Sequence, residues 1–211
     1  MKMKKIIILG ANGKIAQIVR KRILNETGAH LSLYLRNSNR IKNINPNREE
    51  IIDGDVNDFN KLNDALKDKD IVYANLGGRF EPMAKNIIKA MQKNNNQRLI
   101  YVTGLGLYHE VPGDFGKWVE KSIGKEIMDD TRRAAKIIEK SSINYTIIRA
   151  AYMNNESKIS YETTQKGTFF KGCIVSRASI ADYIIRLVKN SSLDNYASVG
   201  INEPGTDGVL L

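Results

Sequence analysis

The stretch IIILGANGKIAQIVRKRI, residues 6–23, passes from an unbroken apolar segment through a glycine pair into apolar residues at helical spacing. Lys5–Leu9 is rich in β-branched residues, and Ile15, Ile18, Val19 and Ile23 recur every three to four positions, so the stretch reads as strand, glycine loop and helix. The spacing is Gly10-x-x-Gly13-x-x-Ala16. Glycine there lets the chain turn sharply and lets a pyrophosphate approach exposed amides, while the helix N-terminus adds positive potential. Ala16 is small enough for close helix–sheet packing. Gly10, Asn12, Gly13, Lys14 and Ile15 are therefore the first candidate cofactor-binding residues. The loop is not a nucleoside-triphosphate loop, because residue 8 is isoleucine where that motif needs glycine, and Ile15 replaces its magnesium-binding Ser or Thr.

Outward from this unit the same alternation continues. Strands are expected at His30–Leu35, Glu49–Asp53, 70–76 (DIVYANL), 97–104 (QRLIYVTG) and Asn144–Ala150, with a last one near Tyr196–Ile201. Helices are expected at Asn57–Leu66, Pro82–Lys93, from about Lys117 to Lys140, and Ser179–Lys189, with a Gly-, Pro- and aromatic-rich loop over Leu105–Lys117. Strands separated by helices imply right-handed βαβ units, hence an α/β fold with a doubly wound parallel sheet and helices on both faces. No repeat, low-complexity linker or boundary divides residues 1–211, so one domain is expected, with residues 151–178 as an irregular, substrate-facing region.

The end of the second strand discriminates between nucleotides. An acid there accepts from ribose hydroxyls of NAD, whereas arginine suits the 2′-phosphate of NADP. The sequence reads LYLRNSNR, with Arg36 at the strand end, Ser38, Asn39 and Arg40 just beyond, and no acid from His30 to Arg40. NADP(H) is thus expected over NAD(H). Asp55 and Val56 follow the third strand as candidates for the adenine, with Asp55 capping the next helix as the competing reading. Asn75, Leu76 and Gly77 follow the fourth, where open parallel sheets bind ligands.

These stretches, together with YVTGLGLYHEVPG (101–113), RRAAKIIEKSSINYTIIRAAYM (132–153) and VSRASIADYII (175–185), resemble the atypical short-chain dehydrogenase/reductase family, in particular its NmrA-like and flavin/biliverdin reductase-like branch. The resemblance runs almost end to end. It implies a Rossmann-type fold, NADP(H) binding and two-electron reduction of a carbonyl, quinone or conjugated ring, with Arg149–Met153, including Ala150 and Tyr152, lining the nicotinamide side. That family generally uses a Tyr-x-x-x-Lys pair on one helical face. Here the matching register holds Thr131 and Ala135, while Lys136 falls on another face. Thr103 and Tyr108 remain as catalytic candidates, Thr103 by hydrogen-bonding a substrate oxygen and Tyr108 as a proton donor; His109 is read as a solvated loop residue and Cys173 as an inert thiol. Phe115, Trp118, Tyr152, Tyr161, Phe169 and Phe170 are read either as aromatic walls for a planar acceptor or as core or a dimer contact.

Two functions fit these residues. One is an NADPH-dependent oxidoreductase acting on a small carbonyl, quinone or flavin-like acceptor; the other is a non-enzymatic NADP(H)-sensing regulator, for which the missing pair is equally apt. Composition narrows the rest. With 33 Lys and Arg against 23 Asp and Glu, the net charge of +10 invites an anionic partner, yet the basic residues are dispersed and no base-reading motif accompanies them, so nucleic acid is not expected. One cysteine and two histidines provide neither a disulfide nor a metal cluster. No apolar run approaches the roughly 18–20 residues of a membrane span, and the N-terminal run is too short for a signal peptide, so a cytoplasmic protein with a small-molecule substrate is expected, a homodimer or protein partner being left open.

Overall fold

Every residue of the first strand is apolar after Lys5, because both faces of that strand are covered. In the computed structural model, which describes residues 3–207, β1 (Lys5–Leu9) sends Ile6 and Ile8 to one face of the sheet and Ile7 and Leu9 to the other, all fully buried. Helix α1 (Lys14–Glu26) covers the first face with Ile15, Ala16, Val19 and Ile23. The expected elements follow: β2 (His30–Leu35), β3 (Glu49–Asp53), α2 (Phe59–Ala65), β4 (Ile71–Ala74), α3 (Phe80–Lys93) and β5 (Arg98–Gly104). Next come α4 (Gly113–Ile123), α5 (Lys125–Glu139), β6 (Asn144–Ala150), β7 (Tyr152–Asn154), β8 (Glu162–Gln165), β9 (Ile174–Ser176), α6 (Arg177–Lys189) and β10 (Ala197–Asn202).

The main sheet has the order β3-β2-β1-β4-β5-β6-β10-β8 and is parallel except for β8, which runs antiparallel to β10. Chain order reverses direction at β1, which lies between β2 and β4. At such a switch point the loops leave the strand ends in opposite directions and open a crevice. Helices α1 and α6 pack together over one face, and α2, α3 and α5 cover the other. This is a single-domain Rossmann-type fold.

Three differences from the sequence reading have local causes. The single long helix expected after the aromatic loop is two helices, parted at Gly124, whose φ of +86° is the conformation glycine adopts most easily. Helix α3 begins at Phe80, before Pro82, because Asp130 of α5 accepts from Phe80 N–H at 2.5 Å and from Glu81 N–H at 3.3 Å, supplying a cap from 50 residues away. The irregular region contains three short strands, of which β7 and β9 pair as a separate parallel ribbon.

Candidate active site

The carboxyl ends of β1, β2, β4 and β5 surround two adjoining cavities of about 650 and 350 Å3. Asn75 and Leu76, leaving β4, line both and form their common wall. The larger cavity holds the glycine loop and the ends of β2 and β3; the smaller lies between the start of α1, the end of β5 and the start of α6.

The loop owes its shape to contact with β4. Gly10 has φ +81°, and a Cβ there would lie 2.2 Å from the Asn75 carbonyl oxygen. At Gly13 a Cβ would lie 2.1 Å from Asn75 Nδ2. Gly13 is also the N-cap of α1 and leaves its first turn without a side-chain cap, so those N–H groups are available to an anion. Asn12 lies on the same rim, its amide 2.9 Å from Gln17 and 3.2 Å from the Arg40 guanidinium.

At the far end of the larger cavity, Arg36 and Arg40 stand beside Asn37. The Arg36 side chain is 71% exposed and sits 3.6 Å from Asp55, itself part-exposed; such a pair contributes little and is readily exchanged. Asp55 lines the cavity, but its Oδ1 accepts from both the N–H and the side-chain amide of Asn57, an Asx turn. It is not the cap of α2: Asp58 takes that role, accepting from Lys61 N–H at 3.1 Å. Val56 is buried beside it, and Gly77 follows Leu76 along the wall.

The smaller cavity contains Lys14, Ile15, Phe80, Thr103, Met153 and Arg177. Thr103 is 6% exposed and its hydroxyl has no hydrogen-bond partner among the described residues, a buried polar atom left for a ligand or water to satisfy. Among the described residues no carboxylate lines this cavity.

Several sequence expectations are corrected here. Tyr108 lines neither cavity; its hydroxyl donates to Glu139 at 2.6 Å and lies 2.9 Å from Ser198 Oγ, while its ring lies over Arg149. Burial first, and then the Glu139 carboxylate, push its pKa far up, the wrong direction for a proton donor near neutrality. Arg149, implied to face the nicotinamide, is fully buried and pairs with Glu110 at 2.7 Å. Ala150 is likewise fully buried, with its carbonyl accepting from Leu105 N–H. Tyr152 packs on Phe115 and Trp118, with ring centroids 6.4 and 5.0 Å away, and its neighbour Met153 is the residue that lines the cavity. None of the six aromatic candidates lines either cavity; Phe170 is core, Phe169 is exposed, and Tyr161 donates to Asp182. On α5, Thr131 and Ala135 are buried and Lys136 is exposed, so no tyrosine–lysine pair is restored by the fold.

Sequence reasoning passed over Phe80, Arg79 and Arg177. Arg177 carried a signal: Ser176-x-x-Ser179 before an apolar run is a helix start, and Ser176 does cap α6, which places Arg177 in its first turn.

A glycine loop opening a helix at the switch point of a parallel sheet defines a dinucleotide-binding protein. A family model described as NAD(P)H-binding matches residues 10–191, and the chain belongs to that family. Among solved structures, a Rossmann-fold NAD(P)-binding family protein from Shigella flexneri is 36% identical over 100% of this chain and 98% of that one, with a TM-score of 0.86. A short-chain dehydrogenase/reductase from Veillonella parvula, solved in complex with NADP, is 30% identical over 98% and 97%, with a TM-score of 0.92. An anaerobillin reductase from Escherichia coli O157:H7 shares the fold at 18% identity, covering 98% of this chain and 100% of that one, with a TM-score of 0.82. No curated protein matches the chain significantly. Among the described residues no helix is long and apolar enough to cross a membrane, and no group of side chains is arranged to hold a metal.

Proposed function

We propose that the protein is an NADPH-dependent oxidoreductase acting on a small carbonyl, quinone or flavin-like acceptor. The observation that carries this reading is the buried, unpartnered Thr103 hydroxyl at the end of β5, in a cavity that adjoins the glycine loop. The nicotinamide, when bound, supplies a hydride, which with one proton from solvent completes a two-electron reduction. The rest is done by the protein. The uncapped first turn of α1 and Asn12 hold the pyrophosphate, Arg36 and Arg40 pair with the 2′-phosphate, and Val56 packs on the adenine, with Asp55 beside it. Gly77 lets the chain pass close to the dinucleotide, Ile15 supports the nicotinamide, and Lys14 adds positive charge at the mouth of the smaller cavity. Thr103 donates a hydrogen bond to the acceptor oxygen and so stabilises charge that develops there. Tyr108, Ala150 and Tyr152 take no part in this scheme.

Calorimetric titration with NADPH and NADH tests the nucleotide half. NADPH is expected to bind more tightly, and Arg36→Asp to weaken it roughly ten- to a hundredfold, as expected for losing about 1.5–3 kcal/mol of charge-assisted hydrogen bonding, with little change for NADH. Failure of both nucleotides to bind would remove the reading altogether. Thr103→Val tests the chemical half: turnover with an accepted quinone or carbonyl is expected to fall on the order of a hundredfold while NADPH affinity and melting temperature hold. An unchanged turnover would show that the hydroxyl does not meet the acceptor.

The absence of a tyrosine–lysine pair on α5 favours a second reading, an NADP(H)-sensing regulator. It requires a partner protein whose affinity differs between the NADP+ and NADPH forms, because a ligand shifts an equilibrium only through differential affinity. A partner indifferent to nucleotide state would eliminate it.

A further inference from the structure

Arg177 combines a charge met by neutral acceptors with a place in a cavity wall. Arg20, Arg22, Arg132 and Arg149 each contact a carboxylate, while Arg48 and Arg98, which also donate to neutral acceptors, line neither cavity. Arg177 has only neutral acceptors: its Nη1 donates to the Met153 and Asn154 carbonyls, each at 3.0 Å, and to Asn155 Oδ1 at 2.9 Å. Those bonds fix the guanidinium through one nitrogen without neutralising it. It lines the smaller cavity with Lys14, where two helices, α1 and α6, begin and where no acid is present. Thr103 lines the same cavity, 6% exposed, and its buried hydroxyl has no hydrogen-bond partner among the described residues.

A cavity with two cations, two helix starts and, among the described residues, no counter-charge is built for a ligand that brings the negative charge with it. We propose that the substrate carries a carboxylate, bound by Arg177 with support from Lys14, while its reducible group is placed against Thr103. A guanidinium presents parallel N–H donors that match the two oxygens of a carboxylate, and here its orientation is set in advance by the β7 carbonyls. The proposal rests on the oxidoreductase reading and narrows its acceptor to an acid. A cavity of about 350 Å3, shared with the nicotinamide, limits that acid to a small one.

Isothermal titration of the NADP+-saturated protein with benzoate, benzamide and inorganic phosphate tests this. Benzoate and benzamide share shape and differ in charge. Benzoate is expected to bind at least roughly tenfold more tightly than benzamide, to weaken by a similar factor in Arg177→Gln and less in Arg177→Lys, and to leave NADP+ affinity unaltered in both variants. Circular dichroism of Arg177→Lys, which keeps a donor for the β7 carbonyls, guards against a folding defect in Arg177→Gln. Equal binding of benzoate and benzamide, or benzoate binding that ignores Arg177, would overturn the proposal. So would phosphate binding without benzoate binding, which would make the site one for phosphate esters. A parallel loss of NADP+ affinity in Arg177→Gln would assign the arginine to the nucleotide and overturn it too. The same titrations on nucleotide-free protein separate the two claims, since benzoate binding that survives a failure to bind NADP+ would sink the cofactor reading alone.

Discussion

Gly10→Ala is expected to destabilise the fold by about 2–6 kcal/mol, adding left-handed strain of about 1–3 to overpacking of about 1–3, and to abolish measurable NADPH binding. Gly10 holds φ +81°, and its new Cβ would meet the Asn75 backbone oxygen at 2.2 Å, an atom that belongs to the sheet end and cannot rotate aside. Asn75 N–H is itself bonded to the Leu9 carbonyl at 2.9 Å, so relief requires parting β1 from β4. Gly13→Ala provides the internal comparison. Gly13 has an ordinary φ of −64°, and its Cβ would meet the Asn75 side chain, which can be removed. Gly13→Ala/Asn75→Ala should therefore recover stability that Gly13→Ala loses, whereas Gly10→Ala/Asn75→Ala should recover none. Urea unfolding of the four variants measures this directly, and rescue at Gly10 would refute the backbone argument.

Glu110→Gln should cost about 3–5 kcal/mol, the range for breaking a buried ion pair by removing one partner. Glu110 and Arg149 are 5% and 0% exposed at the side chain, and the carboxylate also accepts from Gly106 N–H at 3.1 Å and Tyr108 N–H at 2.8 Å. The pair thereby ties the loop after β5 to the middle of the sheet. Burial alone would raise the Glu110 pKa, but the Arg149 charge and the donated N–H groups outweigh it and hold the carboxyl below its ordinary range. Because the folded pKa is depressed, this stability is fully present above the unfolded glutamate value of about 4.3 and is lost as the pH falls through the folded one. The stability gap between wild type and Glu110→Gln, measured by urea unfolding across acidic pH, should narrow on acidification; a constant gap would mean that the pair is not ionised. Arg149→Met added to Glu110→Gln should restore part of the loss, since the uncompensated charge is then gone.

The parts of the fold legible in the sequence are those written in short-range pattern. The apolar run of β1, the glycine spacing and the 15, 16, 19, 23 stripe of α1 are local, and they place the loop and the sheet correctly. The same holds for Arg36, whose position follows from the end of one strand. What escaped depends on contacts between distant segments. The start of α3 is determined by Asp130, 50 residues on, and the inward turn of Arg149 by Glu110, 39 residues back. Tyr108 lay in a loop whose path sequence periodicity does not specify, and that loop carries the hydroxyl to Ser198, 90 residues further along the chain. Arg177 was hidden for the same reason: its own helix start is legible, but the cavity it enters is assembled by the start of α1, the segment from β4 to α3, β5 and β7.

The two outermost strands of the sheet have a consequence for behaviour at high concentration. At one margin β3 exposes Glu50 and Asp53, and at the other β8 presents Glu162, Gln165 and the adjacent Lys166 along its polar edge. A second molecule extending the sheet at either margin would have to strip water from these charges, a barrier that protects natural sheets from joining end to end. Extension of the sheet from one molecule to the next is thus disfavoured at both margins, and the hydrogen-bonded ladder of each copy stays complete.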